Sequence, residues 1–503
     1  MYSIRNYWLV LLSLATLNSM AQIKKPGVFV QEISALPPSV AQVETAIPAF
    51  IGYTEKADLK RPGDLRFVAR RISNLEEFEK YYGKAAPPVI SKIQLDASQN
   101  VVSVTLVPPT YILRQSLQLF FQNGGKDFYV VSIGTFTGTM QQSDFENGLL
   151  AAAKADEPTL LLFPDATNLT GNQLYQVQQK SLEQAGKLTD RFCILDLKYA
   201  ADIQAQQNQV AEFRKQIGTE QLRFGAAYAP FLNTGFLPEQ IRYRYWKNAL
   251  WINNQQVNPK QLTTDTALWR KIEELERIPV TDPSYFSKEN DLIRAIPALG
   301  KIAVWLNQQQ VALPPSGAIA GIYSAVDQKS GVWKAPANIS VNGIKGLAVA
   351  ISTQDQESMN VDPSSGKSVN AIRGFTGKGF LVWGARTLAG NDNEWRYIPT
   401  RRFFLMVEES VKKASQAFVF EPNDANTWTK IKLMIDNYLF QLWKNGAMQG
   451  TKPEHAYYVS VGLGKTMTNQ DILEGRMIIE IGMATVRPAE FIILRFSLKM
   501  VER

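Results

Sequence analysis

The sequence predicts a mixed fold, α/β through its first two thirds and α+β toward its C-terminal end. Three observations carry that reading. Between residues 65 and 300, continuous apolar runs typical of strands buried on both faces alternate with amphipathic helical stretches. Beyond residue 315, two long helical stretches are followed by alternating, strand-like segments. The composition of the 503 residues, 45% hydrophobic and 20% charged, is that of a packed globular chain. A chain of this length buries a core large enough to need no disulfide or metal staple, and at about 150 residues per domain it predicts about three domains.

The elements follow in order. Residues 1–22 combine Arg5, an apolar stretch from Trp8 to Leu17 and a small-residue pattern at Ser19-Met20-Ala21. This has the form of a signal peptide and is too short for a membrane span. The alternative is that Met20 is the true start. PGVFVQEI (26–33) is strand-like and ends at Pro37-Pro38, and AIPAFIGY (46–53) reads as a short buried strand. The charged stretch Lys56–Asp64, with Pro62-Gly63, marks a boundary. In ISNLEEFEKYYG, Asn74 is the N-cap, Leu75, Phe78 and Tyr81 share a helical face, and Gly83 is the stop.

A strand is predicted from Val101, then a helix over 111–122 with Leu113, Leu117 and Phe120 on one face. The buried run FYVVSIG follows the Asn123-Gly124-Gly125 turn. Similar units repeat: a helix near 143–154 with TLLLFPDA, then a helix at 171–187 with FCILDL, in which Cys193 reads as a buried structural thiol. Pro314-Pro315 closes this region. Two helices are predicted at 400–418 and 427–445, and the strands MIIEIGMATV and EFIILRFSL, separated by Pro488, end the chain.

Composition also excludes chemistry. One cysteine forbids an intramolecular disulfide, and the single histidine, His455, forbids zinc sites built on several imidazoles. No metal or cofactor is expected. The excess of 54 Lys+Arg over 46 Asp+Glu gives +8, but the basic residues are scattered among acidic ones. That pattern fits a mildly basic face meeting an acidic protein better than a nucleic-acid surface. VGLGKT (461–466) ends like a phosphate-binding loop, yet the full pattern needs a glycine at position 459, which is Val459. A glycine turn between strands is the preferred reading, and a nucleotide-binding enzyme is kept as an alternative. Glu408-Glu409 beside Lys412-Lys413 form i,i+4 pairs on a helix. Nothing assembles an active site, so no enzyme is expected.

Ordered blocks over most of the chain resemble contractile tail sheath proteins of phages and related injection systems. They are MAQIKKPGVFVQEI (20–33), PPSVAQVETAIPAFIGYTEKA (37–57), NGGKDFYVVSIG (123–134), DEPTLLLFPDA (156–166) and GIYSAVDQKSGVWKAPAN (321–338). VWGARTL (382–388), WRYIPTRRFFLMVEESV (395–411), FEPND (420–424) and NQDILEGRMIIEIGMATVRPAEFIILRF (469–496) complete them. The resemblance implies a polymerising domain built from both chain ends, 23–57 and 315–503, with an α/β region at 58–314 inserted and displayed outward; residues 1–22 form the leader. It implies a structural subunit that polymerises helically around an inner tube and contracts to drive that tube through a membrane. Its partners would be further copies of itself, the tube protein, and baseplate and terminator proteins, with no nucleic acid and no stable membrane insertion. Assembly would be cytoplasmic as part of a tail-like particle, with secretion left open by the leader.

Both termini would be arms that add strands to neighbours. The strand-like ends, with Val28, Phe29, Val30 and Glu32 at one and Phe491, Ile493, Leu494 and Phe496 at the other, suit that role. An unpaired strand offers a row of donors and acceptors to a neighbour's sheet, and a head-to-tail contact that does not close generates a helix. The alternative is that each strand pairs within its own subunit. For the tube contact the helix 401–416 is singled out, with Lys412 and Lys413 facing acidic tube residues and Glu408 and Glu409 beside them. The rival class is a secreted structural or adhesive surface protein.

Overall fold

The apolar run at 46–53 supplies an inner strand of a nine-stranded sheet. In the computed structural model, which describes residues 39–236 and 241–490, all within the unit Ser39–Arg503, this strand is β1 (Pro48–Thr54), buried at every position. The others are β2 (Arg70–Ile72), β3 (Phe128–Thr135), β4 (Leu160–Leu162), β5 (Phe192–Asp196), β6 (Gly225–Ala229), β7 (Ile339–Ser340), β8 (Val369–Phe375) and β9 (Gly379–Val382). The order is β7-β9-β8-β6-β5-β4-β1-β3-β2. The six strands from β8 to β3 run parallel, and β9 and β2 run antiparallel to their inner neighbours. Such inner strands are covered on both faces, which is why β1, β5 and β6 are buried throughout and read as apolar runs without alternation. Burial in β5 pushes the Cys193 thiol up to about 12, so it stays protonated and inert.

Helices form where the sequence spacing places them. In α1 (Leu75–Tyr82) the Asn74 side chain accepts the Glu77 amide, and Gly83 leaves the helix at φ +81°. In α2 (Leu113–Gln122) Leu113, Leu117 and Phe120 are buried. The long α3 (Ser316–Ser330), buried along most of its length, packs against α2.

The expected boundaries at 57/58 and 314/315 do not follow this sheet. It takes β1 from the first stretch, β2 to β6 from the second and β7 to β9 from the third, and one continuous core joins them. The region with its own core is narrower. Strands Val89–Leu95 and Val101–Val107 join Leu250–Ile252 and Gln255–Gln256 in a separate four-stranded sheet. With the helices Thr266–Arg277, Tyr285–Ala295 and Pro297–Asn307, they enclose Ile93, Trp246, Leu250 and Ile302. Its two halves lie far apart in the chain, so no shift in composition along the sequence marks it.

A third core belongs to the C-terminal module. There α4 (Ile398–Ser415) and α5 (Ala425–Lys444) pack through Phe403, Ile435 and Leu439 beside β10 (Tyr457–Val461) and β11 (Ile479–Met483). The two helices and the strand β11 fall where the sequence predicts them.

Candidate subunit interface

The site is built from the two ends of the described chain, around residues 43–45 and 490. At the N-terminal root, the Val43 amide donates to Ser410 Oγ at 3.0 Å and the Thr45 hydroxyl to Asp327 at 2.5 Å. Arg402, on α4, donates to the Thr45 carbonyl at 2.8 Å and to both Asp327 oxygens at 2.6 and 3.0 Å. Both charged side chains are almost fully buried, and the guanidinium stacks 4.4 Å from the Tyr323 ring. A buried guanidinium is tolerated only when its fork is satisfied, so this geometry fixes the position of the segment leading into β1.

The C-terminal root has a parallel design. Glu490 receives Arg386 Nη2 at 2.6 Å and Nε at 2.9 and 3.1 Å. Asn360 Nδ2 adds a hydrogen bond at 2.6 Å and the Tyr397 hydroxyl one at 3.2 Å. Arg386 is 5% exposed and also donates to the Gly390 carbonyl. Burial pushes the Glu490 carboxyl upward, but Arg386 and Asn360 outweigh it and hold the group below the usual range.

Beside these roots lies a sheet of two strands. β10 and β11 pair antiparallel from Tyr457↔Met483 to Val461↔Ile479. Among the described residues neither strand has a second strand partner. Among those residues the sheet therefore has two unpaired edges, each a row of backbone donors and acceptors. Val459 and Val461 are buried against the module's core, so only one face of the sheet is free.

The eight arm residues of the sequence reading, Val28, Phe29, Val30, Glu32, Phe491, Ile493, Leu494 and Phe496, lie outside the described residues. The helix singled out for tube contact is α4, and its charges largely face inward contacts. Lys413 pairs with Asp156 at 2.7 Å and Glu409 at 3.5 Å, Lys412 with Glu409 at 3.0 Å, and Glu408 with Arg401 at 2.6 Å. Glu409 is nearly buried, whereas the Lys412 side chain is 61% exposed. Lys413, Asp156 and Glu409 line a cavity of about 280 Å³ between α4 and the sheet, with Arg71, Glu157 and Arg402. Lys413 holds the Asp156 carboxyl below its usual range.

VGLGKT forms a tight turn after β10. The Thr466 hydroxyl accepts the Gly462 amide and donates to the Ile478 carbonyl, and the helix that follows, Asn469–Leu473, has five residues. A hydroxyl engaged this way and so short a helix do not make a phosphate cradle. Sequence reasoning missed Arg386, Arg402, Asp327 and Glu490. One signal was available: Arg401-Arg402 interrupts an otherwise apolar helical face next to Phe403 and Met406, which is where a buried, paired arginine belongs.

The comparisons with known proteins converge. The phage tail sheath C-terminal domain matches residues 390–499. The tail sheath protein of Vibrio phage KVP40 is 29% identical over 143 residues, 28% of this chain and 21% of that protein, so the chain spans about a fifth of the curated relative it matches. The helical sheath of the anti-feeding prophage in its contracted state superimposes with a TM-score of 0.60 at 28% identity, covering 94% of this chain and 98% of that one. The sheath complex of the extracellular contractile injection system PVC, also contracted, gives 0.58 at 25% identity, covering 94% and 97%.

Proposed function

We propose that this chain, which belongs to the contractile tail sheath proteins, is the repeating subunit of a sheath that polymerises helically around an inner tube and shortens to drive the tube forward. The observation that carries the reading is the two-edged β10–β11 sheet beside two arginine-clamped chain roots. A subunit with two receiving edges and two strand-like ends can give and take a strand on each side. Contacts of that kind are heterologous and extend without closing.

The clamps suit contraction. Load on an arm reaches the body through the buried Arg402–Asp327 pair at one root and the half-buried, multiply bonded Arg386–Glu490 pair at the other. Arms can then stay paired while the bodies rotate and repack. A free-energy difference of a few kcal/mol per subunit between extended and contracted lattices, held behind a kinetic barrier, would drive movement when summed along the polymer. No nucleotide is required. Partners would be further copies of the chain, an inner tube, and baseplate and terminator proteins. The tube contact narrows to the exposed Lys412, because Lys413 and Glu409 are engaged within the subunit. The outward-displayed part narrows to the module with its own core at 89–107 and 241–307.

The test is negative-stain electron microscopy of residues 20–503 beside residues 35–503. Striated hollow cylinders from the first and dispersed particles from the second are expected. Cylinders from both would remove the N-terminal arm mechanism. Dispersed particles from both, persisting when tube and baseplate proteins are co-expressed, would overturn the sheath reading and return weight to a secreted surface protein.

A further inference from the structure

The module with its own core ends in an open strand. Its sheet runs in the order Gln255–Gln256, Leu250–Ile252, Val89–Leu95, Val101–Val107, so among the described residues no strand lies beyond the last. The direction of that strand's backbone groups follows from its neighbour. The Ser91 hydroxyl donates to the Thr105 carbonyl at 3.1 Å, so Thr105 turns its backbone toward the strand Val89–Leu95. The Ile93 amide, opposite Val104, donates the other way, to the Ala249 carbonyl at 2.7 Å. Backbone direction alternates along a strand, so Val104 and Leu106 point their N–H and C=O groups out of the open edge. Natural edges are blunted by a charge, a proline or a bulge. VVSVTLV carries no charge and no proline. Its own irregularity, the extra residue Val102 between the pairs Gln94↔Ser103 and Leu95↔Val101, leaves Ser103 to Val107 regular. Ser103, Thr105 and Val107 are exposed on one face, and Val104 and Leu106 pack on the module's core from the other.

We infer that this edge receives the same edge of a second copy, antiparallel about a two-fold axis through Thr105, and that it joins neighbouring sheaths side by side. The inference rests on the sheath reading and on the outward placement of this module. In that register Val104 lies opposite Leu106 of the second copy, Thr105 opposite Thr105, and Ser103 opposite Val107. Val104 and Leu106 exchange backbone hydrogen bonds with their counterparts, apolar side chains meet on the core side, and the pair at the axis is Thr–Thr. A self-pairing edge must set no charge against its own copy, and this strand has none. Lys92, opposite Thr105 on the next strand, reaches over the Trp251 ring at 5.0 Å. It and its copy stand three strand spacings, about 14 Å, apart, beyond the Debye length of about 8 Å.

Size and symmetry choose which copy. A pair of five-residue strands buries far less than the roughly 1,000 Å² that a lasting pairwise interface needs. Single subunits therefore stay apart, and the contact acts only where many repeat together. Neighbours within one sheath are related by a screw about a single axis, never by a two-fold, so this contact lies between sheaths. A second sheath has the same repeat, so once one pair of edges meets the others fall into step.

Sheaths assembled from the full chain are expected to bundle side by side in negative-stain images and to pellet at low speed. Thr105→Lys sets two lysines face to face at the axis. Its melting temperature and its cylinders are expected to match the parent's, while the pelleted fraction falls at least tenfold. Ser103→Lys combined with Val107→Glu sets a lysine opposite a glutamate twice in each contact. That double variant is expected to bundle at low salt and to come apart at high salt, unlike the parent. Single parent cylinders, bundling untouched by Thr105→Lys, or a double variant that bundles at every salt concentration or at none would overturn the inference while leaving the sheath reading in place. Should Thr105→Lys lower the melting temperature, the salt response of the double variant decides. Failure of the parent chain to form any cylinder would instead remove the sheath reading and this contact with it.

Discussion

At the scale of single residues, the two root arginines set the terms. Arg386 is almost fully buried and Glu490 partly so, so removing the arginine leaves the carboxylate without its main partner in a half-buried site. Arg386→Met is expected to destabilise the fold by about 3 kcal/mol and to raise hydrogen exchange over residues 484–490; unchanged urea unfolding and exchange would show that the clamp is incidental. A second effect comes from two buried aspartates. Asp165 accepts the Tyr53, Ile112 and Leu113 amides and Asp196 the Ser316 amide, and burial pushes each carboxyl up to about 7. Their folded pKa values lie above the unfolded value of about 3.9, so the native state binds more protons between pH 4 and 7. Stability from these groups is therefore complete at low pH and lost as pH rises through 7, by up to about 1.4 kcal/mol per pH unit per group. With one histidine in the chain, few other groups titrate there. The urea midpoint should fall from pH 5 to pH 7.5, and a flat or rising profile would refute the assignment. Cys193 was legible because its neighbours are all apolar. Asp165 and Asp196 were not, because an aspartate at the end of a buried strand has the same letter whether it faces solvent or caps a helix.

At the scale of elements, legibility followed periodicity. Helix α1 could be read to its ends, because its N-cap and terminal glycine are local signals, although the helix buries Phe78 and Tyr82 and leaves Leu75 and Tyr81 of the expected face half-buried. Helix α3 could not: SGAIAGIYSAV is apolar or small on every side, so it has no stripe, and Pro314-Pro315 before it reads as a break. Its glycines have a purpose that only packing reveals. A Cβ at Gly317 would lie 2.4 Å from the Ser116 carbonyl oxygen, and one at Gly321 would lie 2.3 Å from that of Phe120, so α2 and α3 touch backbone to backbone. Neither obstacle is a side chain that can swing away. Gly321→Ala is expected to cost about 2–3 kcal/mol by forcing the helices apart. Gly377→Ala meets open space at φ +75° and should cost only about 1 kcal/mol. Equal melting temperatures for the two variants would mean that the helix contact is looser than this geometry. The strand Val89–Leu95 escaped notice for another reason: a β-bulge near Lys92 breaks the alternation that would have marked it.

At the scale of the whole molecule, the mixed architecture and the sheath resemblance were legible, whereas the way the stretches combine was not. Which strands share a sheet is decided by contacts between residues more than a hundred positions apart, such as β1 beside β4, and local pattern holds no record of them. The same distance effect governs the proposed tube contact. Read from sequence, Lys412 and Lys413 are equivalent members of one charged helix face. In the fold, Lys413 bridges Asp156 and Glu409 across the junction between α4 and the sheet, while Lys412 projects outward. The two substitutions should therefore separate. Lys413→Glu places a third carboxylate between Asp156 and Glu409 and is expected to lower the melting temperature whether or not a tube is present. Lys412→Glu removes a pair whose lysine is exposed and whose Glu409 partner keeps Lys413, and should lower the melting temperature less than Lys413→Glu does. Its effect should appear on co-assembly, as weaker co-sedimentation with the tube protein, and that loss should shrink as salt screens the contact. If Lys412→Glu co-assembles as well as the parent at low salt, α4 does not face the tube. The helix would then serve only to hold the C-terminal module and the N-terminal root to the body.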